Sequence, residues 1–295
     1  MLRCTRERAP GKQCMTFLVF LVVVLAAILH AVWNFAAKQA AGNLGALWLG
    51  VCLGAVLSWP CAVLAHQAEP LTLAGLPYIG ATGILHAWYF GFLSRSYMTG
   101  EISLVYPVAR GTGVAGTAIV AGLFLPERLS PAGVAGILAI CVGTGLVGLS
   151  RRAHKEQLTA YVHALLVGIT ITGYSIVDKL AVGQVHPVIY ISGMFSLAAL
   201  LLTPYVLHVH RVACLYAYRH LKTAIGLIGV GSLCTYLLIL FTLRMGPVSY
   251  IVAVREFAVV IGAILGFVVL KERLTVRKGI GIVAITLGLV LVKVA

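Results

Sequence analysis

Two arginines, Arg110 and Arg255, lie inside long apolar stretches of this sequence and are 145 positions apart. A guanidinium group can hold a carboxylate or a phosphate through two parallel hydrogen bonds, so the pair could bind an anionic solute. The alternative is a structural role in which each charge is neutralised locally. Glu256 follows Arg255 directly. Because neighbouring helix positions point about 100° apart, another helix would have to supply the partner of Arg255.

Six polar or aromatic side chains are candidates for the same site, because they recur at helical spacing within apolar stretches. They are His30, Asn34, His86, Tyr89, Tyr106 and Tyr174. Polar faces of this kind avoid lipid, so we predict that they line helix contacts or a water-filled cavity. The face of His30 and Asn34 leads to Lys38. Lys38 and Lys179 are expected at helix ends, with their ammonium groups reaching the polar interface.

Few carboxylates could carry a proton through an apolar region, because the chain has only 8 acidic residues. Asp178 and Glu256 lie within or at the end of apolar stretches, and Glu101 lies at the start of one. These three are the candidates for proton coupling. Glu127 and Glu272 belong instead to a repeated turn, where we expect them to cap the following helix or to pair with the adjacent arginine.

Composition indicates a membrane protein. Hydrophobic residues make up 61% of the sequence and charged residues 10%, against about 45–50% and about 25% in soluble domains. The net charge of +14 is spread between apolar stretches, which indicates interfacial anchoring and excludes nucleic-acid binding through a clustered basic face. The 7 cysteines show no zinc-site spacing, so we expect no metal and no cofactor.

Ten stretches are long and apolar enough to cross a bilayer as helices. We predict them at 17–37, 44–65, 73–94, 102–123, 131–149, 160–180, 188–209, 221–243, 248–270 and 277–294. Polar breaks remain at 150–159 and 209–222. The predicted fold is an all-α, multi-pass membrane protein with ten transmembrane helices.

The chain also repeats internally, since residues 110–147 reappear as 255–292. Each copy has five predicted spans, and an odd number inverts the second copy in the membrane. We therefore predict an N-terminal tail at 1–16, a first repeat at 17–150, a polar junction at 151–159 and a second repeat at 160–295. Inverted repeats are typical of secondary transporters.

The charges leave the orientation of the chain open. The side that would carry both termini has 8 Lys and Arg residues outside the spans, and the other side has 12. By the positive-inside rule the termini would face outward. The first apolar stretch has no cleavage site, so we expect a retained first helix. Translation from Met15 would widen the charge difference.

Three motifs carry a family resemblance. They are His30-Ala31-Val32-Trp33-Asn34 followed by Lys38, the run Val105 to Gly111, and two Glu-Arg-Leu turns that precede glycine-spaced helices. In this order the motifs resemble the EamA family of the drug/metabolite transporter superfamily. The resemblance implies ten helices in two inverted repeats, a central cavity, alternating access and cytoplasmic termini, against the charge count. It implies no substrate signature, so the candidate site rests on the residues alone.

We predict a secondary transporter and not an enzyme. It would export a small polar metabolite, such as an amino acid or a related anionic or zwitterionic solute. A transporter linked to phosphonate or organophosphate use is an alternative, since the first-span motif is similar to members associated with phosphonates. A membrane-embedded enzyme would need a catalytic motif, and neither HExxH nor GxSxG occurs. A channel is a further alternative, disfavoured because no repeated filter is present. Expected partners are the solute and the lipid bilayer, the cytoplasmic membrane in a bacterium, with a homodimer left open.

Overall fold

The computed structural model describes residues 15–40, 43–99, 102–125, 127, 129–148, 155–269 and 275–295. These residues form helices and no strand. The helices are α1 (Phe17–Gln39), α2 (Leu44–Ala68), α3 (Leu76–Thr99), α4 (Ile102–Phe124), α5 (Pro131–Gly148), α6 (Lys155–Ala181), α7 (Pro187–Val209), α8 (Arg211–His220), α9 (Lys222–Leu243), α10 (Val248–Val254), α11 (Phe257–Val269) and α12 (Val276–Val294). A short 3-10 turn, Leu73–Gly75, precedes α3.

The helices are those of an integral, multi-pass membrane protein. Seven helical stretches are long and apolar enough to cross a bilayer, and Pro131–Val147 is a shorter apolar helix. Large apolar side chains such as Leu123 and Phe124 remain 73% and 77% exposed on outer faces, as contact with lipid requires. Helices occupy all ten predicted stretches. That ten of them cross the bilayer as two inverted repeats stays a prediction.

The polar break predicted at 209–222 contains a helix, α8, and is therefore not an irregular loop. α8 packs against the start of α2. The side-chain amide of Asn43 donates to the carbonyl oxygen of Ala213 at 3.1 Å. Gly45 lies so close to Cys214 that a Cβ at this position would be 2.5 Å from its Cα. These contacts hold α8 at one end of the bundle.

The ninth predicted span, 248–270, was wrong as a single helix, because the chain breaks it into α10 and α11 at Arg255 and Glu256. The backbone tightens there. The N–H groups of Glu256, Ala258 and Val259 donate to carbonyl oxygens three residues earlier, at 3.0, 3.1 and 2.8 Å. A 3-10 stretch inside a helix often marks a hinge. By contrast, α4 stays continuous through Pro107.

Glycines bring α5 and α12 into backbone contact. Gly136 faces Gly288, and Gly143 faces Gly281. A Cβ at Gly136 would lie 2.8 Å from the carbonyl oxygen of Gly288, and one at Gly143 would lie 2.6 Å from that of Gly281. The order of the contacts makes the two helices antiparallel. Small residues permit this approach, which supplies much of the packing between helices in lipid.

A Gly143→Ala substitution is expected to destabilise the protein by about 1–3 kcal/mol, because the added methyl group overpacks a backbone contact. Gly145→Ala is the matched control, since a Cβ at Gly145 meets nothing within 4 Å. That change should be neutral or stabilise by up to about 1 kcal/mol through helix propensity. SDS titration of the reconstituted protein measures both. Equal effects of the two changes would contradict the proposed contact.

Two cations join the ends of α6 and α9. The ammonium of Lys179, on α6, donates to the carbonyl oxygens of Leu243 and Gly246 at 2.7 Å each. Arg244, which follows α9, donates to the carbonyl oxygen of Val182 at 2.9 Å and to that of Val185 at 3.3 Å. Each cation therefore caps the C-terminal end of the other helix, as the helix dipole favours. Lys179 thus lies at a helix end, as predicted, and caps α9 there; that its ammonium reaches the interface stays a prediction.

Glu127 caps a helix, but not the one predicted. Its carboxylate accepts hydrogen bonds from the backbone N–H of Val248 at 2.6 Å and of Ser249 at 3.3 Å, and from the Ser249 hydroxyl at 2.8 Å. Glu127 therefore satisfies the N-terminus of α10, in the second half of the chain, and not the adjacent α5. Its repeat counterpart Glu272 lies outside the described residues.

Candidate functional site

A small cavity lies between helices of both halves of the chain. α1, α3, α6, α7 and α9 form its walls, together with Arg255 at the break between α10 and α11. Its volume of about 30 Å³ is enough for about two water molecules.

Arg255 supplies the cationic group on the cavity wall. The residue is 2% exposed. Its Nη2 donates to the Tyr174 hydroxyl at a long 3.4 Å, and its Nε has no hydrogen-bond partner among the described residues. A buried donor left without a partner costs free energy. The cavity therefore contains a guanidinium group that a bound anion would satisfy.

Arg110 lies on α4 and is neutralised, unlike Arg255. Its Nε donates to Oε2 of Glu256 at 3.1 Å, and its Nη2 lies 2.5 Å from Oε1. Both residues are almost fully buried, at 3% and 1% exposure. The partner of Arg110 is thus the acid that follows Arg255 in the sequence. This pair ties α4 to the helix break.

Aromatic rings cover much of the cavity surface. The His86 ring stacks on Tyr174 with a centroid distance of 4.4 Å, and meets Tyr236 edge-on at 5.1 Å. Tyr89 meets Tyr174 edge-on at 5.9 Å, and Phe90 adjoins it. Nδ1 of His86 lies 2.9 Å from the Thr82 carbonyl oxygen. Because a carbonyl can only accept, the proton is on Nδ1 of this ring.

Asp178 lies behind this aromatic wall, 1% exposed. Its Oδ1 accepts hydrogen bonds from Thr82 at 3.1 Å and from Tyr190 at 2.7 Å, while Oδ2 accepts one from Tyr236. Within the described parts of the chain, no Lys, Arg or His forms a salt bridge with it. Hydroxyl donors alone hold this carboxylate, and one of them, Tyr236, also lines the cavity.

α1 contributes His30 and Asn34, two of the predicted polar candidates. The Asn34 amide donates to the carbonyl oxygen of His30 at 2.8 Å, one turn earlier. His30 Nε2 and Trp33 Nε1 line the cavity without a hydrogen-bond partner in the described structure. Tyr106, one turn before Arg110, is half-buried; its hydroxyl is buried and equally unpaired among those residues, although Tyr106 does not line the cavity.

Sequence reasoning found part of this cavity. Of the predicted candidates, His30, His86, Tyr89, Tyr174 and Arg255 line it. Asn34, Tyr106, Arg110, Asp178 and Glu256 lie elsewhere in the buried polar groups described above. Glu101 lies outside the described residues.

Other lining residues were missed, namely Trp33, Phe90, Met194, Phe195, Ser232, Thr235 and Tyr236. Ser232, Thr235 and Tyr236 follow i, i+3, i+4 spacing within the apolar α9. The helical-spacing criterion used for the other spans would therefore have found them. Among the described residues, no group of three or more His, Cys, Asp or Glu could hold a metal ion.

Comparison with known proteins gives a family and a fold. Residues 158–294 match the model of the EamA-like transporter family. A solved structure, described only as the crystal structure of a protein, superposes with a TM-score of 0.69. It is 19% identical in sequence, and the alignment covers 92% of this chain and 97% of that one. At this identity the likeness shows the fold alone. No curated protein matches this chain significantly.

Proposed function

We propose that this protein, which belongs to the EamA-like transporter family through residues 158–294, is a secondary transporter that exports a small carboxylate-bearing metabolite. The observation that carries the proposal is the position of Arg255, a buried guanidinium on the wall of an aromatic cavity, with its Nε unpaired among the described residues. A substrate carboxylate would accept hydrogen bonds from this group. Amino acids and related metabolites have this chemistry.

Transport would proceed by alternating access of two inverted five-helix repeats around this cavity. The glycine contacts support this arrangement. The 145-residue offset between the repeats relates Gly136 to Gly281 and Gly143 to Gly288. In the structure Gly136 contacts Gly288, and Gly143 contacts Gly281. Each glycine of the first repeat thus contacts the repeat counterpart of the other glycine. A two-fold axis that relates the two repeats would produce these crossed contacts. The break between α10 and α11 would supply the hinge.

The cavity favours a zwitterion over a doubly charged phosphonate or organophosphate. Arg110 is paired with Glu256, which leaves Arg255 as the one arginine among the cavity-lining residues. The faces of Tyr174, Tyr236 and Trp33 could hold an ammonium group by cation–π attraction. A single guanidinium group with aromatic faces matches an amino acid better than a dianion. A membrane-embedded enzyme receives no comparable support, because the family is one of transporters.

Uptake of a panel of amino acids and organic anions into proteoliposomes tests the proposal. We expect saturable transport of at least one carboxylate-bearing solute by the wild-type protein. Arg255→Gln should raise the half-saturation concentration at least about 30-fold, because losing a buried charged hydrogen bond costs about 2–5 kcal/mol. Arg255→Lys should keep part of the activity, since the charge remains and the forked geometry is lost.

Arg95→Gln is the matched control, because Arg95 is exposed and bonds Tyr205 at 3.1 Å outside the cavity. Folding of each variant is checked by thermal unfolding at equal reconstitution. Normal transport by a folded Arg255→Gln protein would refute the assigned role of Arg255. Failure of the wild type to move any solute in the panel, with all variants folded, would refute the proposed function.

A further inference from the structure

α8 lies at a membrane surface. The helices before and after it, α7 and α9, are both long and apolar enough to cross the bilayer. The intervening ten residues cannot cross the bilayer, because a helix of this length spans about 15 Å and the hydrocarbon core is about 30 Å thick. The buried side chains of α8 are Cys214 and Ala217. The remaining surface of α8 has no role in the site described above.

The outer face of α8 combines arginine with apolar and aromatic side chains. Arg211, Leu215 and Arg219 follow one another at i, i+4 and i+8 and share a helix face. The two arginines are separated by about 12 Å along the axis. Beside this stripe, Val212 is 82% exposed and Tyr216 is 55% exposed. This pattern is typical of helices that lie in the interface with anionic lipids.

The charge around α8 has a single sign. Residues 208–222 contain no aspartate or glutamate. Apart from cysteine and tyrosine, their ionisable side chains are all basic. The basic residues are His208, His210, Arg211, Arg219, His220 and Lys222. Arg95, on α3, extends this surface. Its guanidinium bonds the Tyr205 hydroxyl at 3.1 Å, and the Tyr205 ring lies 5.1 Å from His210.

We propose that α8 binds the phosphate groups of anionic phospholipids. Arg211 and Arg219 hold the phosphate oxygens through forked hydrogen bonds. Leu215 and Val212 enter the boundary between the headgroups and the acyl chains, and Tyr216 lies at headgroup level, where aromatic side chains are favoured. Basic side chains near an anionic membrane surface each add roughly 1 kcal/mol. The occupant that fits this surface is lipid, because its positive charge and exposed apolar groups occur together at the membrane boundary.

Native mass spectrometry of the full-length protein tests this proposal. The detergent-solubilised protein is titrated with palmitoyl-oleoyl phosphatidylglycerol and, separately, with the phosphatidylcholine of the same chains. We expect preferential retention of phosphatidylglycerol by the wild type. Arg211→Gln/Arg219→Gln should weaken the tightest phosphatidylglycerol site about 30-fold, from two lost contributions of roughly 1 kcal/mol each. Arg211→Lys/Arg219→Lys should retain part of the affinity, because it keeps both charges but loses the forked hydrogen bonds.

Arg277→Gln/Lys278→Gln is the charge-matched control, since it also removes two positive charges and leaves α8 intact. This variant should bind phosphatidylglycerol as the wild type does. Unchanged thermal unfolding in phosphatidylcholine nanodiscs establishes that the α8 variants fold. The proposal is overturned if the wild type does not distinguish the two lipids, or if both double Gln variants lose affinity equally. It is also overturned if the α8 variant changes the number of protein copies in the complex, which would assign the surface to a second copy.

Discussion

Replacing Arg110 with alanine is expected to lower the free energy of unfolding by about 3–5 kcal/mol, because the change leaves Glu256 buried and unpaired. The Glu256 carboxylate is 1% exposed and forms its ion pair with this guanidinium through both oxygens. Transport should be lost as well. Without its partner, Glu256 would move or take up a proton, and the helix break that positions Arg255 would shift with it.

Compensating variants separate the charge from the packing. Arg110→Leu/Glu256→Leu should recover most of the lost stability, because a buried ion pair can often be replaced by apolar side chains at little cost. Arg110→Lys should recover part of it, since an ammonium group cannot form the fork. SDS titration of the reconstituted proteins, with Arg110→Leu and Glu256→Leu as the two single variants, gives the values needed for a double-mutant cycle.

The control for this cycle is Glu69→Ala. Glu69 pairs with Arg244 at 3.7 Å and is 59% exposed, so the change should cost less than about 1 kcal/mol. If Arg110→Ala lowers the free energy of unfolding no more than Glu69→Ala does, the buried pair does not stabilise the fold more than an exposed pair. Failure of the double Leu variant to recover stability would mean that the arginine acts through contacts other than Glu256.

The different roles of the two arginines could not be predicted from the repeat, although one difference between the two copies hints at these roles. The 145-residue offset relates Arg110 to Arg255 and Gly111 to Glu256. One copy thus has an acid where the other has glycine. If the helix continued regularly through Arg255, the side chain of Glu256 would point about 100° away from that of Arg255. The chain breaks at this point, and the acid reaches across to Arg110. Only the tertiary structure brings these residues together.

The positions of the helices and several polar faces could be predicted, because helical periodicity is a local property. The same argument explains why Glu127 was assigned to the wrong helix. Glu127 comes just before α5 in the sequence, and the prediction rested on that local position alone. Here the groups that it satisfies, the N–H groups of Val248 and Ser249, lie 121 and 122 positions away. Contacts of that separation depend on how the two halves of the chain pack, which no local pattern reports.

Asp178→Asn is expected to abolish any dependence of transport on a pH gradient. The proposed coupling step is proton uptake by this carboxylate. Protonation would give this group an O–H donor and would weaken the hydrogen bonds that it now accepts from three hydroxyl groups. Tyr236 is the hydroxyl that also lines the cavity. The proton would therefore change the cavity wall directly.

Proteoliposome uptake with and without an imposed gradient measures this effect. If one proton accompanies each solute, a gradient of one pH unit should allow about tenfold accumulation by the wild type, since one unit corresponds to about 1.4 kcal/mol. Asp178→Asn should equilibrate the solute to the same level with and without the gradient. Tyr236→Phe should retain the gradient dependence but bind the solute with altered affinity, because the carboxylate remains while one donor at the cavity is removed.

Glu69→Gln is the control, because it neutralises an exposed carboxylate outside the cavity and should leave accumulation unchanged. The other charged or titratable groups around the cavity are Arg255, His30 and His86, together with the tyrosines. Persistence of tenfold accumulation in a folded Asp178→Asn protein would exclude Asp178 as the coupling group. It would direct attention to Glu256 or Glu101, the other two acids that the sequence offers. Loss of accumulation with equilibrating transport intact is the outcome that only a coupling role predicts, since damage to the binding site would remove both.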